Sequence, residues 1–348
     1  MPVQSSPDQS TIYRSTEQNA KHRSTEQNTT HNTTHNTKHG LETRNFSVSS
    51  SMHPGFIRAK GLHSQAGFGR APGTFGELLQ GALAGDSNNF LVTFPIARQV
   101  TTVFESAQSS REIQTVPSGK HKSVRLIRRL LDDQGIEAGG TLTFLEQLPE
   151  GKGLASSSAD MVASARAVAD YYRFEVGEAY LSALLGEIEP TDGVMYDECV
   201  SFFHRRCKLI ERLGALPPLR VVGVDEGSTV DTVEFNARAK SHSDMEIDEY
   251  SRLLRIISVA IHQRDKRAIG KVSTRSAEIN QKYNPKRYLK LAIAVSETLD
   301  ALGVVVAHSG TYVGVLLDPE REDADRQLYQ VQIAMSQSSL PVEVFHSF

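Results

Sequence analysis

The chain has 348 residues, a formal net charge of -3 and 39% apolar residues, enough for two modest domains with separate cores. Near-neutral charge argues against a dedicated nucleic-acid binder, and no apolar run reaches the length of a membrane-spanning helix. Its two cysteines, Cys199 and Cys207, exclude a disulfide scaffold and suit a reducing compartment. The start, MPVQSSPDQS, lacks the basic-then-apolar segment of a secretory leader, so a cytoplasmic protein is expected.

Residues 1–65 read as a polar tail and linker. STEQNAKHR from Ser15 is echoed by STEQNTTHN from Ser24, and TTHN recurs at Thr29 and Thr33. So polar a segment buries too little surface to offset its ordering entropy, and disorder is predicted. His31, His35 and His39 have the spacing of one helix face, but Thr and Asn hold a helix poorly. A solvated tract is the expectation there, not a metal site.

Beyond Phe68 the pattern becomes globular. Phe90, Val92, Phe94 and Ile96 alternate as a half-buried strand, with a neighbouring strand at Val100 to Phe104. Val124 to Asp133 has helical spacing, and its Arg125, Arg128 and Arg129 read as a solvated face. Thr141 to Leu148 is a further strand, followed by a Gly-rich turn and an Ala-rich helix over 158–172. After a connecting helix, Thr191-Asp192 is expected to open another. Cys199, Phe202, Phe203, Ile210 and Leu213 would line its apolar stripe, which makes both cysteines core residues.

Leu216-Pro217-Pro218 marks a boundary. Leu219 to Val224 is an all-buried strand candidate, and Val230 to Phe235 its expected partner. Helices are predicted over 246–262, 264–280 and 286–302, the last stopped by Gly303. Strands at Val304 to Ala307 and Tyr312 to Leu317 flank His308-Ser309-Gly310-Thr311. A helix over 324–338 and a strand at Val342 to Phe345 end the chain. Strands and helices alternate in both halves, so the expected class is α/β or α+β with domains at 66–215 and 216–348.

The chemistry is concentrated in Pro149-Glu150-Gly151-Lys152-Gly153-Leu154-Ala155-Ser156-Ser157-Ser158. A strand enters a glycine-rich turn that opens a helix. The first N–H groups of that helix have no intrahelical partner, and its dipole favours an anion there. The serines add donors and a ligand for a hard cation. Such a site suits a nucleotide polyphosphate with Mg²⁺. It is neither a Walker loop nor a dinucleotide fingerprint, because the required endings and spacings are missing.

This segment resembles the second motif of the GHMP small-molecule kinases, PxGxGLxSSxA. Ala71-Pro72-Gly73-Thr74-Phe75-Gly76-Glu77-Leu78 is similar to their first motif, and Ala307 to Gly314 to their third. APGTFGELLQG, GLASSSAD, EPTD and AHSGTYVG together resemble the L-threonine kinases of cobalamin biosynthesis. Phe75 departs from those relatives, which often carry a small residue or Cys there. The resemblance implies an α+β, two-domain GHMP kinase fold, with a ribosomal-protein-S5-domain-2-like N-terminal domain and a ferredoxin-like C-terminal one. It also implies ATP and Mg²⁺ as cofactors and an amino-acid hydroxyl as acceptor.

It further implies roles. Pro149, Gly151, Lys152, Gly153, Leu154, Ala155, Ser156, Ser157 and Ser158 would wrap the nucleotide phosphates, with Lys152 supplying charge, against a solvated loop lysine, and Ser157, or next to it Ser158, contacting Mg²⁺, against a serine N-cap. Asp192 would orient or deprotonate the acceptor hydroxyl, against the alternative that Thr191 or Asp192 caps the next helix. Glu77 and Gln80 would meet an acceptor's ammonium group, against a first-turn helix carboxylate for Glu77. Thr74, His308, Ser309, Gly310 and Thr311 would close the substrate site, His308 having a buried structural role as its alternative.

Overall fold

A computed structural model describes residues 66–85, 88–227 and 242–348. The polar tail with its histidines, and the expected strand at Val230 to Phe235, lie outside the described residues. Among the described residues the strands form one mixed sheet in the order β10-β7-β9-β8-β1-β2-β4-β3. β1 (Gly67–Ala82) and β2 (Asn89–Ala107) are long antiparallel partners. β2 also pairs with β4 (Gly139–Glu146), which takes β3 (Ile113–Val116) in parallel. β7 (Arg220–Asp225), β8 (Gly303–Val306), β9 (Tyr312–Leu317) and β10 (Val342–His346) carry the C-terminal half. The two halves of the sheet join where Glu77 of β1 pairs with Val306 of β8.

Helices α1 (His121–Asp133), α2 (Ser156–Tyr172) and α3 (Glu178–Gly186) accompany the N-terminal strands. α1 buries Leu126, Ile127, Leu130 and Leu131 at helical spacing, while Arg129 pairs with Asp133 and Glu187 on its outer side. α2 is buried nearly all round, as its alanines allow close approach to β1. α4 (Asp244–His262), α5 (Lys266–Asn280), α6 (Leu289–Thr298) and α7 (Ala324–Met335) pack on the C-terminal strands. α4 starts with a capping box in which Ser243 and Glu246 satisfy each other's backbone N–H groups. Phe75 is fully buried, edge-on to Tyr312 and Phe345 at 5.4 and 4.9 Å, so the ring sits in the core between the halves.

Four expectations change. The two strands expected over 90–104 are one, because β2 continues through Pro95 and is buried on both faces from Phe90 to Ile96. The helix expected after Asp192 is a hairpin of β5 (Cys199–Phe203) and β6 (Lys208–Gly214). Its apolar residues mimic a helical stripe, but Val200, Phe202 and Phe203 favour a pleated, buried surface, and β5 finds an edge on β2. Cys199 is still a core residue, its thiol donating to the Thr93 carbonyl at 3.0 Å and raised to about 12 by burial. Glu77 lies in a strand, not the first turn of a helix. Finally, Gly303 does not cap α6. That helix ends at Thr298, Asp300 takes the left-handed position at φ 50°, and Gly303 begins β8 against Gly270.

Candidate active site

The three glycine-bearing segments are laced together by backbone hydrogen bonds. Thr74 N–H donates to Leu154 O at 3.2 Å and Gly76 N–H to Gly153 O at 3.0 Å, fixing β1 to the turn before α2. Thr311 N–H donates to Lys152 O at 3.1 Å, fixing the β8–β9 turn to the same loop. Register breaks in β1 around Gly73, Thr74 and Glu77 free those backbone groups from the β2 ladder. A Cβ on Gly310 would lie 2.1 Å from Lys152 O, so only glycine permits this contact. Gly310→Ala is therefore expected to cost about 1–3 kcal/mol of stability by overpacking. It should also weaken nucleotide binding, measured by denaturant unfolding and by ATP titration.

The loop delivers α2 with an open N-terminus. Its N-cap is Ala155, held in the left-handed region at φ 58° and making no side-chain cap. Ser156, Ser157 and Ser158 are the first three helical residues, so a serine N-cap is not the explanation for them. Their N–H groups carry the positive end of the helix dipole toward the cavity in front. A non-glycine residue at positive φ is costly, and such strain gathers at functional sites.

That cavity has a volume of about 590 Å³ and is lined by Gly151, Gly153, Ala155 and the three serines. Glu77, Glu189, Asp192 and Ser309 line the same cavity. The Ser157 hydroxyl donates to Glu189, whose second oxygen takes Lys122 Nζ at 2.5 Å. Thr191 donates to Ser158 Oγ at 2.9 Å, and no helix follows it, so neither Thr191 nor Asp192 is a helix cap. Asp192 is half-buried. Burial, then the neighbouring charges of Glu77 and Glu189, push its carboxyl up to about 8. At the cavity's rim Lys120 is buried between Asp160 and Glu150, at 2.7 Å from each. Burial opposes its charge, but the two hydrogen bonds outweigh this and raise it above the ordinary lysine value.

Comparison with known proteins bears on the fold and on the kind of protein. Residues 121–203 match the family described as GHMP kinases N terminal domain. An L-threonine kinase of Citrobacter freundii is 28% identical over 258 residues, covering 74% of this chain and 88% of that one. One of Salmonella typhimurium is 25% identical over 262 residues, covering 74% and 85%. A homoserine kinase from Cytophaga hutchinsonii shares the fold with a TM-score of 0.66 at 13% identity, over 83% of this chain and 96% of that one. Methanococcus jannaschii mevalonate kinase does so with 0.61 at 17% identity, over 83% and 98%. The chain has the GHMP kinase fold, and its residues 121–203 match that family's N-terminal domain.

GHMP kinases use ATP, generally with Mg²⁺, and the cavity residues of this chain fit both. The uncapped terminus of α2 offers N–H donors to a phosphate chain. Ser157 and Glu189 pair a hydroxyl with a carboxylate, the hard oxygen donors that Mg²⁺ takes beside phosphate.

The remaining expected site residues fall outside the cavity lining. Pro149 is exposed and Leu154 is a core residue. Lys152 pairs with Asp225 at 2.7 Å. Burial alone would raise the Asp225 carboxyl, but hydrogen bonds from Lys152 and Thr311 outweigh it and hold it low. Thr74 and Gly310 act through their backbones, and Thr311 also donates its hydroxyl to Asp225 at 2.5 Å. Lys286, pulled down to about 8 by burial, and Asn284 both donate to Gly310 O. Gln80 lines a different cavity, with Gly81, His204 and Tyr250, and its backbone N–H donates to Ser276 Oγ. His308 is buried, between Glu77 and Ser276. Sequence reasoning missed Lys120, Lys122, Asp160 and Glu189. Their available signal was Gly119-Lys120-His121-Lys122, a basic turn opening α1, and the glutamate of EPTD.

Among the described residues no helix is long and apolar enough to cross a membrane, and no group of three His, Cys, Asp or Glu could hold a metal on its own. A cation here would share its ligands with phosphate.

Proposed function

We propose that this protein is an ATP-dependent kinase that phosphorylates the hydroxyl of an amino acid, L-threonine, to O-phospho-L-threonine. The observation that carries the reading is that Asp192 and Glu77 line the same cavity as the open N-terminus of α2. The likeness to two L-threonine kinases supports the acceptor. With that acceptor, the product would serve the nucleotide loop of cobalamin, as the sequence resemblance implies.

ATP with Mg²⁺ supplies the transferable phosphoryl group and the neutralising charge. The N–H groups of Ser156, Ser157 and Ser158 would hold the phosphates, and Ser157 and Glu189 would hold the metal. Catalysis of this kind is mainly positioning and electrostatic stabilisation. Glu77 takes the acceptor's ammonium group, placing its hydroxyl toward Asp192. As the acceptor oxygen bonds to the γ-phosphorus and the bond to ADP breaks, Asp192 takes the hydroxyl proton. A carboxyl raised to about 8 is mostly protonated at neutral pH. Positive charge beside it, from the acceptor's ammonium group and from Mg²⁺, would favour the ionised form that can accept a proton. Lys152 anchors the phosphate loop through Asp225, and reaches phosphate only by leaving that pair.

A coupled assay of ADP release tests the reading, with L-threonine, L-serine, L-homoserine, ethanolamine and sugars as acceptors and Mg²⁺ present. L-threonine should give the highest kcat/KM. Nucleotide binding without stimulation by any acceptor would instead mark a catalytically idle protein on a kinase fold.

A further inference from the structure

We infer that Ser276 and His308 are positioning residues, a buried hydrogen-bond chain that presents Glu77 to the acceptor's ammonium group. The inference rests on the amino-acid acceptor proposed above. His308 Nδ1 lies 2.9 Å from Glu77 Oε2, and the His308 backbone N–H donates to the same oxygen at 3.1 Å. On the far side of the ring, Nε2 lies 2.8 Å from Ser276 Oγ on α5. Ser276 Oγ also accepts the Gln80 N–H at 3.1 Å, three residues along β1 from Glu77. The loop thus closes on itself from β1 through α5 and the β8–β9 turn. Ser276 and His308 are each 1% exposed, and Glu77 is 4% exposed.

The protons can be counted. A carboxylate oxygen accepts, so His308 Nδ1 carries the hydrogen that faces Glu77. Nε2 of the neutral ring is then an acceptor and needs a donor. Ser276 supplies it, since its oxygen already accepts from Gln80 and its own hydrogen is left for the ring. Each member has one consistent role, and the chain selects one ring tautomer. Asn284 holds the His308 carbonyl at 3.0 Å, which fixes the backbone as well.

The consequence falls on Glu77. Its Oε2 is committed twice, and the residue lines the cavity that Asp192 shares. The other oxygen is left for a ligand in a fixed direction. A carboxylate ordered before the ligand arrives spares the side-chain ordering cost at binding. Removing Ser276 leaves the ring free to take the other tautomer or rotate, and Glu77 loses its orientation without losing its charge.

The test uses the full chain, with L-threonine and ATP varied separately and the His308 ring observed by ¹⁵N NMR. Ser276→Ala should raise the acceptor KM about 3–10-fold, the worth of one neutral hydrogen bond, with the KM for ATP unmoved. It should also shift the ring nitrogens away from the Nδ1–H form. Ser276→Thr, which keeps the hydroxyl, should restore most of both. His308→Gln moves the donor away from the Nδ1 position and should cost about 10–100-fold in acceptor KM, as for a hydrogen bond to a charged group. His308→Asn can place its amide nitrogen where Nδ1 stood and should cost less. The inference is overturned by an acceptor KM that ignores Ser276→Ala, by KM values for ATP and acceptor that rise in parallel, or by a wild-type ring without Nδ1–H. If the wild-type chain phosphorylates no amino acid, the acceptor reading fails instead. The ring then still decides the chain: a tautomer that Ser276→Ala leaves unchanged overturns it, and one that changes upholds it.

Discussion

Replacing Asp192 by Asn is expected to lower kcat about 10²–10⁴-fold, the usual cost of a lost general base, and to make the empty protein more stable. The second half follows from the electrostatics. Burial and the charges of Glu77 and Glu189 raise this carboxyl from 3.8 to about 8 in the folded protein. Between those values the folded state holds a proton that the unfolded state has released. Stability contributed by this position is therefore complete below about pH 4 and falls as pH rises to about 8. An Asn cannot ionise and escapes that loss. The variant should match the wild type near pH 4 and exceed it by about 1–3 kcal/mol near pH 8, after allowance for the half-open position of the side chain. Thermal unfolding at both pH values, beside steady-state kinetics, checks the pair of effects. The wild-type kcat/KM for the acceptor should climb toward pH 8, and Asp192→Asn should flatten the climb. A variant that loses turnover and stability together would make Asp192 a structural residue.

This opposition of stability and turnover explains which parts of the site could be read in the sequence. The turn before α2 was legible because its glycines, its serines and the following Ala-rich helix are contiguous, and the local chemistry fixes the local geometry. The strands around His308 to Thr311 were legible for the same reason. The acidic wall was not. Glu77 comes from the middle of β1, where register breaks turn its side chain toward the cavity, while a linear reading offered the first turn of a helix as its structural alternative. Glu189 and Asp192 are near neighbours in sequence, but only the fold sets Glu189 against Ser157 and Asp192 near Glu77. Lys120 and Asp160, forty residues apart, form a buried ion pair that no periodicity announces. The misread hairpin at Cys199 to Gly214 has a related cause. Apolar residues three and four apart satisfy a helix template, and only the open edge of β2 favours the strand.

Glu189→Gln carries the second large expected effect. The substitution keeps the shape of the side chain and removes one negative charge. If Glu189 and Ser157 hold the metal, half-saturation by Mg²⁺ should move up more than about tenfold, and kcat should fall about 10²-fold or more, as several kcal/mol of charge stabilisation is lost. The same change removes one of the two charges that raise Asp192, so the climb of kcat/KM with pH should shift to lower pH. A defect in folding would not produce that pair, because it would not move the metal requirement and the pH profile in opposite senses. Unchanged Mg²⁺ dependence would leave Glu189 as a latch for Ser157 and Lys122. The position of Lys122 bears on the choice. Its ammonium lies 2.5 Å from Glu189 while nearly half of the side chain, 46%, faces solvent, so it can swing away at small cost. Lys122 satisfies the carboxylate that a metal would take over. Lys122→Met should then tighten Mg²⁺ binding a few-fold where Glu189→Gln weakens it, because an exposed ion pair is worth about 1 kcal/mol or less.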